Sequence, residues 1–288
     1  MRSPFRRGSN EEYEGPDFEH PPVEEVALSV QYAPLPGMTT AHVAQYWESV
    51  RDRFPKWEEA PPIEPTVELF GVPRIKLPRF AFSVEGGILP HRALFVDAQG
   101  VELVQVQRDR FVRNWRRRPD ATEYPRYPVL RDRFRADLGE FLSFLERQGL
   151  AGPEVNQCEV IYVNHIAPGR GWQRQGEAHC VLTMISGELS DDFLPEPETI
   201  EATFRYVFSW PGSAEPAGRL HVAVRPVHRV SDDTALLAVT LTARGRPRGN
   251  DVASVTEWMD VGHEFLVHGF ASMTTPEMHR LWGRRDVR

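Results

Sequence analysis

The chain has 288 residues, with 34 Lys plus Arg against 41 Asp plus Glu, a formal net charge of −7 and 41% hydrophobic residues. This is ordinary globular composition, long enough for one large domain or two small ones. The acidic balance excludes a general nucleic-acid coat, two cysteines exclude a disulfide framework, and no run approaches the roughly 18 apolar residues of a membrane span.

A reduced, cytoplasmic setting fits the two cysteines, Cys158 and Cys180, which read as buried strand residues. Only Lys56 and Lys76 are lysines, so nearly all the basic charge is arginine. Codon bias in a GC-rich bacterial genome accounts for this and lowers the information carried by any arginine run. Residues 1–21 hold basic residues but no apolar core, so they are not a secretory signal and read as a mostly disordered leader.

VEEVALSVQY (23–32) alternates as a strand, broken by Pro34, Pro36 and Gly37. Thr39 or Thr40 caps a helix carrying Val43, Trp47, Val50 and Phe54, and Pro55 stops it. Residues 55–80 are proline-rich and irregular, with one short strand expected near Thr66–Phe70. Ala93–Val96 is strand-like and Gly100 marks a turn. In 124–150, Leu130, Phe134, Leu138, Phe141, Leu142 and Leu145 form the apolar stripe of a long helix, with Gly149 placed as its C-terminal cap. The second half opens with a strand at 158–169. Strands follow at 203–210, 219–227 and 235–244, the last two joined by Ser231-Asp232-Asp233. Ser254 with Glu257 suggests a capping box for a helix to about Ser272, and Thr275-Pro276 starts a short closing helix.

These elements predict an α+β fold: antiparallel sheet with long amphipathic helices packed on one face. EVALSVQYAP (25–34) and EVIYVNHIAP (159–168) share Glu, Val, Ala and Pro at matching places, which suggests two related halves, 22–150 and 151–288, or one continuous domain.

VQVQRDRFVRNWRRRP (104–119) is the densest candidate for a binding surface. As one strand it would put Gln105, Gln107, Phe111 and Trp115 on one face. With a turn at Arg108-Asp109 it becomes a hairpin in which Gln107 pairs with Arg110 and Val106 with Phe111. The hairpin sorts polar from apolar better: Gln105, Gln107, Arg110 and Asn114 on one face, Val104, Val106, Phe111 and Trp115 on the other. Arg-Asp is not a preferred two-residue turn. If the polar face is covered, its amides need partners, since an unpaired buried polar group costs about 1–3 kcal/mol. From 105 to 135 there are ten arginines against Asp109, Asp120, Glu123 and Asp132, a local excess of six. Beside Trp115, Tyr124 and Tyr127 this could hold a phosphate or nucleotide. A solvated helix face is the commoner outcome for such a run.

Catalytic motifs are wanting. His263 and His268 in HEFLVH are one residue too far apart to share a helix face as a zinc pair. Cys158, His165, His179 and Cys180 could converge only through tertiary structure, and no metal or cofactor is expected. There is no nucleophile elbow, and PGRGW (168–172) lacks a nucleotide-loop pattern.

Four segments, PPVEEVALSVQYAPLPG, QVQRDRFVRNWR with YPRY, NQCEVIYVNHI and FASMTTPEMHRLWGR, resemble a sporadically distributed bacterial family of conserved hypothetical proteins of about this length. The Q-x-Q…NW segment is its most specific part. The resemblance implies one conserved architecture and no established activity; its patchy distribution suits an accessory gene in a defence or toxin–antitoxin type locus.

The expectation is a non-catalytic binding or regulatory protein for a small anionic ligand or a protein partner. Its candidate binding residues are Gln105, Gln107, Arg110, Asn114, Trp115, Tyr124, Asn164 and His165. The alternatives are an enzyme acting on a nucleotide or nucleic-acid phosphate, with His165 or His179 as acid or base, and a subunit of a larger assembly. The net charge disfavours nucleic acid, and no membrane partner is expected.

Overall fold

The computed structural model describes residues 15–71, 92–119, 123–169, 171–185, 187 and 190–286. In chain order, β1 (Pro16–Phe18), β2 (Val23–Tyr32) and α1 (Thr40–Val50) are followed by β3 (Lys56–Ala60), β4 (Arg92–Val96), β5 (Glu102–Gln107), β6 (Arg110–Arg116) and α2 (Tyr127–Arg147). The second half gives β7 (Val155–Ile166), α3 (Ala178–Val181), β8 (Ala202–Ser209), β9 (Pro216–His228), β10 (Ala235–Gly245) and α4 (Val252–Met273), then α5 (Pro276–Leu281) and β11 (Arg284–Asp286). The fold is α+β, and no helix among the described residues is long and apolar enough to cross a membrane.

Nine strands form one antiparallel sheet in the order β3-β4-β5-β6-β2-β7-β10-β9-β8. Each half follows the same rule: its first strand lies at the centre, its last strand beside it, and the others step outward. β2 and β7 meet antiparallel, with Ala27 opposite Ile161. The offset between the matched segments 25–34 and 159–168 carries Ala27 onto Ile161, so the register pairs the two segments symmetrically about that same pair. The two halves therefore repeat one topology, yet the sheet runs unbroken across the division at 150/151.

One face of the sheet is the core. Val26, Leu28 and Val30 of β2, Cys158, Val160 and Tyr162 of β7, and Val239, Leu241 and Ala243 of β10 are all buried there, beneath α2 and α4. Phe111 stacks on Phe141 of α2 with ring centroids 5.2 Å apart, and Trp258 of α4 donates its indole N–H to the Ala217 carbonyl at 2.8 Å. Burying each such large side chain contributes about 1.5–3 kcal/mol.

The Arg108-Asp109 turn forms, with Gln107 opposite Arg110 and Val106 opposite Phe111. The chain after β2 supports this unfavoured turn: Tyr32 N–H donates to the Asp109 carbonyl and Leu35 N–H to the Arg108 carbonyl, at 2.9 and 3.0 Å. Tertiary bonds thus replace the local preference that Arg-Asp lacks.

Several expectations need correction. The end of the supposed leader is structured: β1 pairs with β11, and Phe18 is buried against Phe270 and Trp282; residues 1–14 lie outside the described residues. No strand forms at Thr66–Phe70; the strand of that region is β3 at Lys56–Ala60. The cap of α4 is Asp251, whose carboxylate accepts from Ser254 N–H at 2.8 Å, because an aspartate three residues ahead satisfies that donor as a serine would. Cys180 lies in α3, half-buried, whereas Cys158 is a buried strand residue; both are free thiols.

One charged pair is set inside the helix–sheet layer. Asp137 lies on the buried stripe of α2, 2% exposed, and meets Arg113 of β6 at 2.7 Å on one side and Arg53 on the other. Removing Asp137 takes from the buried Arg113 guanidinium one of its two carboxylates, leaving Glu102 at 2.7 Å; breaking a buried pair outright costs about 3–5 kcal/mol, so the loss falls toward the lower end. Asp137→Ala is expected to lower the unfolding free energy, measured by urea titration, by about 3 kcal/mol, whereas Arg53→Ala, on the solvent side, costs about 1 kcal/mol or less.

Candidate functional site

The sheet face turned away from α2 and α4 carries Gln105 and Gln107 from β5, Arg110 and Asn114 from β6, Ser29 and Gln31 from β2, and Gln157, Glu159 and His165 from β7. β10 and β9 continue it with Arg244 and with Arg219 and His221. The hairpin places the first four there as its alternation requires. Gln105, Gln107, Arg110 and Asn114 are each at most 5% exposed, so solvent is not their partner.

The cover over this face is the chain's own segment 61–70, which has no strand pairing of its own. Pro61, Pro62 and Pro65 remove three backbone donors and hold their neighbours extended, so the segment cannot join a ladder. It runs across the strands and is held by one after another. Gln107 of β5 clasps Ile63 from both sides, its carbonyl accepting from Ile63 N–H at 2.8 Å and its amide donating to the Ile63 carbonyl at 3.0 Å. Gln31 of β2 accepts from Thr66 N–H at 2.8 Å and Gln157 of β7 from Glu68 N–H at 3.2 Å. The Glu68 carboxylate then reaches Arg244 of β10 and both Arg219 and His221 of β9. The five residue steps from Ile63 to Glu68, about 3.3 Å each, match the three strand spacings of about 4.8 Å from β5 to β7, and the Glu68 side chain reaches on to β10 and β9. We call this segment the strap.

Beside the strap lies a cavity of about 340 Å³. Gln105, Arg110 and Asn114 line it with Arg92, Arg116 and Arg244, and with Glu25, Glu64 and Glu159 as its acids. Arg110 is held by Glu159 at 2.8 Å and by Gln31 at 2.6 Å. Asn114 accepts from the Gln105 amide at 2.6 Å and donates to Glu25 at 2.5 Å. Among the described residues, three buried polar atoms of this wall have no hydrogen-bond partner: Gln105 Oε1, Arg110 Nε and Arg92 Nε. Burial, with Arg116 and Arg110 close by, pulls the Arg92 guanidinium below its usual range. The wall therefore offers unmet donors on two arginines and one unmet acceptor.

The other predicted residues fall elsewhere. Gln107 is spent on the strap and does not line the cavity. His165 shares the open face but sits opposite Ala238, away from the cavity lining. Trp115 points into the core, its ring 5.2 Å from Tyr124. Tyr124 and Asn164 line a different cavity, on the helix side of the sheet. The local arginine excess is not a patch. Seven of the ten arginines in 105–135 have carboxylate partners, mostly acids distant in sequence, including Asp17, Glu24, Glu25, Glu159 and Asp260. A window count sees only local acids, which is why it read as strongly positive. Glu68, Arg92, Arg219, His221 and Arg244 were not singled out as site residues, since nothing local marks where they meet. No group of three or more His, Cys, Asp or Glu able to hold a metal occurs among the described residues.

Burial alone would raise the Glu68 carboxyl, but the His221 hydrogen bond and the charges of His221, Arg219 and Arg244 outweigh it and hold the group below its ordinary range. A depressed carboxyl stabilises the fold fully above its unfolded pKa, about 4.3, and that contribution disappears as pH falls through the folded value. Glu68→Gln is expected to lose about 2 kcal/mol at pH 7 and to show a shallower fall in Tm than wild type between about pH 5 and pH 3. Calorimetry across that range, with hydrogen exchange at the Thr66 and Glu68 amides, checks both. Compared with known proteins, the chain matches no family model, no curated protein and no solved structure.

Proposed function

We propose that the chain is a non-catalytic binding protein that holds a small anionic ligand in the cavity on the open sheet face, beside the strap. What supports this is the wall of that cavity: three arginines, Arg92, Arg110 and Arg116, close enough for Arg110 and Arg116 to act on Arg92, with buried Arg110 Nε and Gln105 Oε1 both unmet. An anion bearing its own hydroxyl or N–H, such as a hydroxycarboxylate, would satisfy the arginine donors and the glutamine acceptor together. Two free cysteines favour a reduced, cytoplasmic setting. The family resemblance read from the sequence would place such a binder in an accessory bacterial locus.

Titration calorimetry with malate and with inorganic phosphate tests the reading. Malate is expected to bind saturably, one per chain. Gln105→Ala combined with Asn114→Ala, and separately Arg92→Ala, should weaken binding roughly tenfold or more, the equivalent of about 1.4 kcal/mol, with circular dichroism unchanged. If the double variant unfolds, the two amides are structural; if Arg92→Ala binds malate as wild type does, the cavity is not the site.

A further inference from the structure

A second cavity lies on the other face of the sheet, between the start of α2 and α4. It measures about 430 Å³. Its floor is Tyr162 and Asn164 of β7 with Val23 of β2, its sides are Tyr124 and Tyr127 from the start of α2 and His263, Leu266, Val267 and Phe270 of α4, and its lid is Pro16–Phe18 with Pro21. Protein interiors are close-packed, and voids larger than a water are few. This cavity is partly open to solvent, and its apolar walls leave ring faces without protein contacts, which a guest can make.

The walls specify the filler. Rings dominate: Tyr127 lies flat on His263 with centroids 3.7 Å apart and planes at 6°, and Tyr162 and Phe18 add two more faces. The charged groups in the lining are Asp17 and Arg126, which neutralise each other at 2.8 Å. Burial, helped by Arg131 and His268, pulls the His263 imidazole down to about 3, so it is uncharged at neutral pH. Burial pushes the Tyr124 and Tyr127 phenols up, so they keep their protons. The polar contribution of the walls is thus hydrogen bonding without net charge, chiefly the Tyr124 and Tyr162 hydroxyls, 2.8 Å apart, and the side-chain carbonyl of Asn164, whose amide N–H donates to the Val239 carbonyl at 3.0 Å.

The lid is built to stay shut. Glu19 and His20 donate backbone N–H to the carbonyls of Gly283 and Trp282, each at 3.0 Å. Arg126, just before α2, donates to Asp17, to the Phe18 carbonyl at 2.8 Å and to the Glu19 carbonyl at 3.3 Å. Its backbone has φ of +69°, a conformation that a residue with a side chain adopts only where its surroundings fix it. Here the surroundings are the lid.

We infer that the cavity beneath residues 16–21 is a binding site for a small, flat, uncharged molecule with one hydrogen-bonding group, closed over by the chain's own lid. This site is separate from the anion site proposed above: it lies on the opposite face of the sheet and asks for a neutral guest.

2-Naphthol, a fused-ring molecule with one hydroxyl and no charge at pH 7, is the probe; 2-naphthoate is its charged counterpart. The expected result is saturable binding of one 2-naphthol per chain, followed by its fluorescence, with 2-naphthoate at least tenfold weaker. Val267→Phe, which fills the cavity, should weaken 2-naphthol at least tenfold, and Arg92→Ala should leave it unchanged. Transferred contacts between 2-naphthol protons and the labelled methyls of Leu266 and Val267 in the wild-type protein give the location without relying on a variant's fold. Absence of saturable binding, naphthoate binding as tightly as naphthol, undiminished affinity in a folded Val267→Phe protein, or contacts to methyls elsewhere would each overturn the inference. Failure of malate to bind, by contrast, bears on the open-face cavity alone.

Discussion

Everything else in this molecule follows from the pairing of β2 with β7. Each half contributes part of a sheet whose central strand, β2 or β7, would otherwise be an open edge, and joining those two edges antiparallel makes one nine-stranded surface. Because Val26, Leu28 and Val30 point the same way as Val160 and Tyr162, the pairing also brings both long helices onto one side. A shift of the register by one residue would turn the apolar set of one half to the opposite face, so the ladder fixes the core as well as the topology.

That arrangement leaves a second face with no helix to cover it. The face is too polar to form another core and too well covered to be a solvated surface. Proline-rich chain solves the problem: the strap lies across the strands and is gripped by side-chain amides and, at its far end, by a carboxylate among three basic groups. Where the strap does not fill the space, a polar hollow remains with donors and an acceptor unspent. On the helix side, between the start of α2 and α4, lies the opposite kind of hollow, ring-walled and without net charge. The two cavities differ because one is roofed by backbone over charged strands and the other by apolar helix faces.

Much of this was legible from residue order. The hairpin at 102–116 was readable because only one turn position separates Gln105, Gln107, Arg110 and Asn114 from Val104, Val106 and Phe111. The helical stripe of α2 and the Thr275-Pro276 start of α5 were readable for similar local reasons. The strap was not, since prolines announce an extended chain but not what it lies on. Tyr124 and Asn164 were grouped with the hairpin amides by nearness to the arginine run and to the repeat, whereas strand parity and the turn into α2 send them to the other face. The arginine excess misled because its neutralising acids, Asp17 and Glu159 among them, come from strands that only the folded sheet brings alongside.

The strap also orders events. Its anchors belong to five strands drawn from both halves, and the bonds from Glu68 to Arg219 and Arg244 close chain separations of 151 and 176 residues. Such distant contacts are among the slowest to form, and the anchors on β7, β9 and β10 are not in place until the two half-sheets have joined. The strap is therefore a latecomer: the sheet must exist before it can be crossed. A chain caught before that step would have its helices packed and its core closed while a row of glutamines and arginines still faced water.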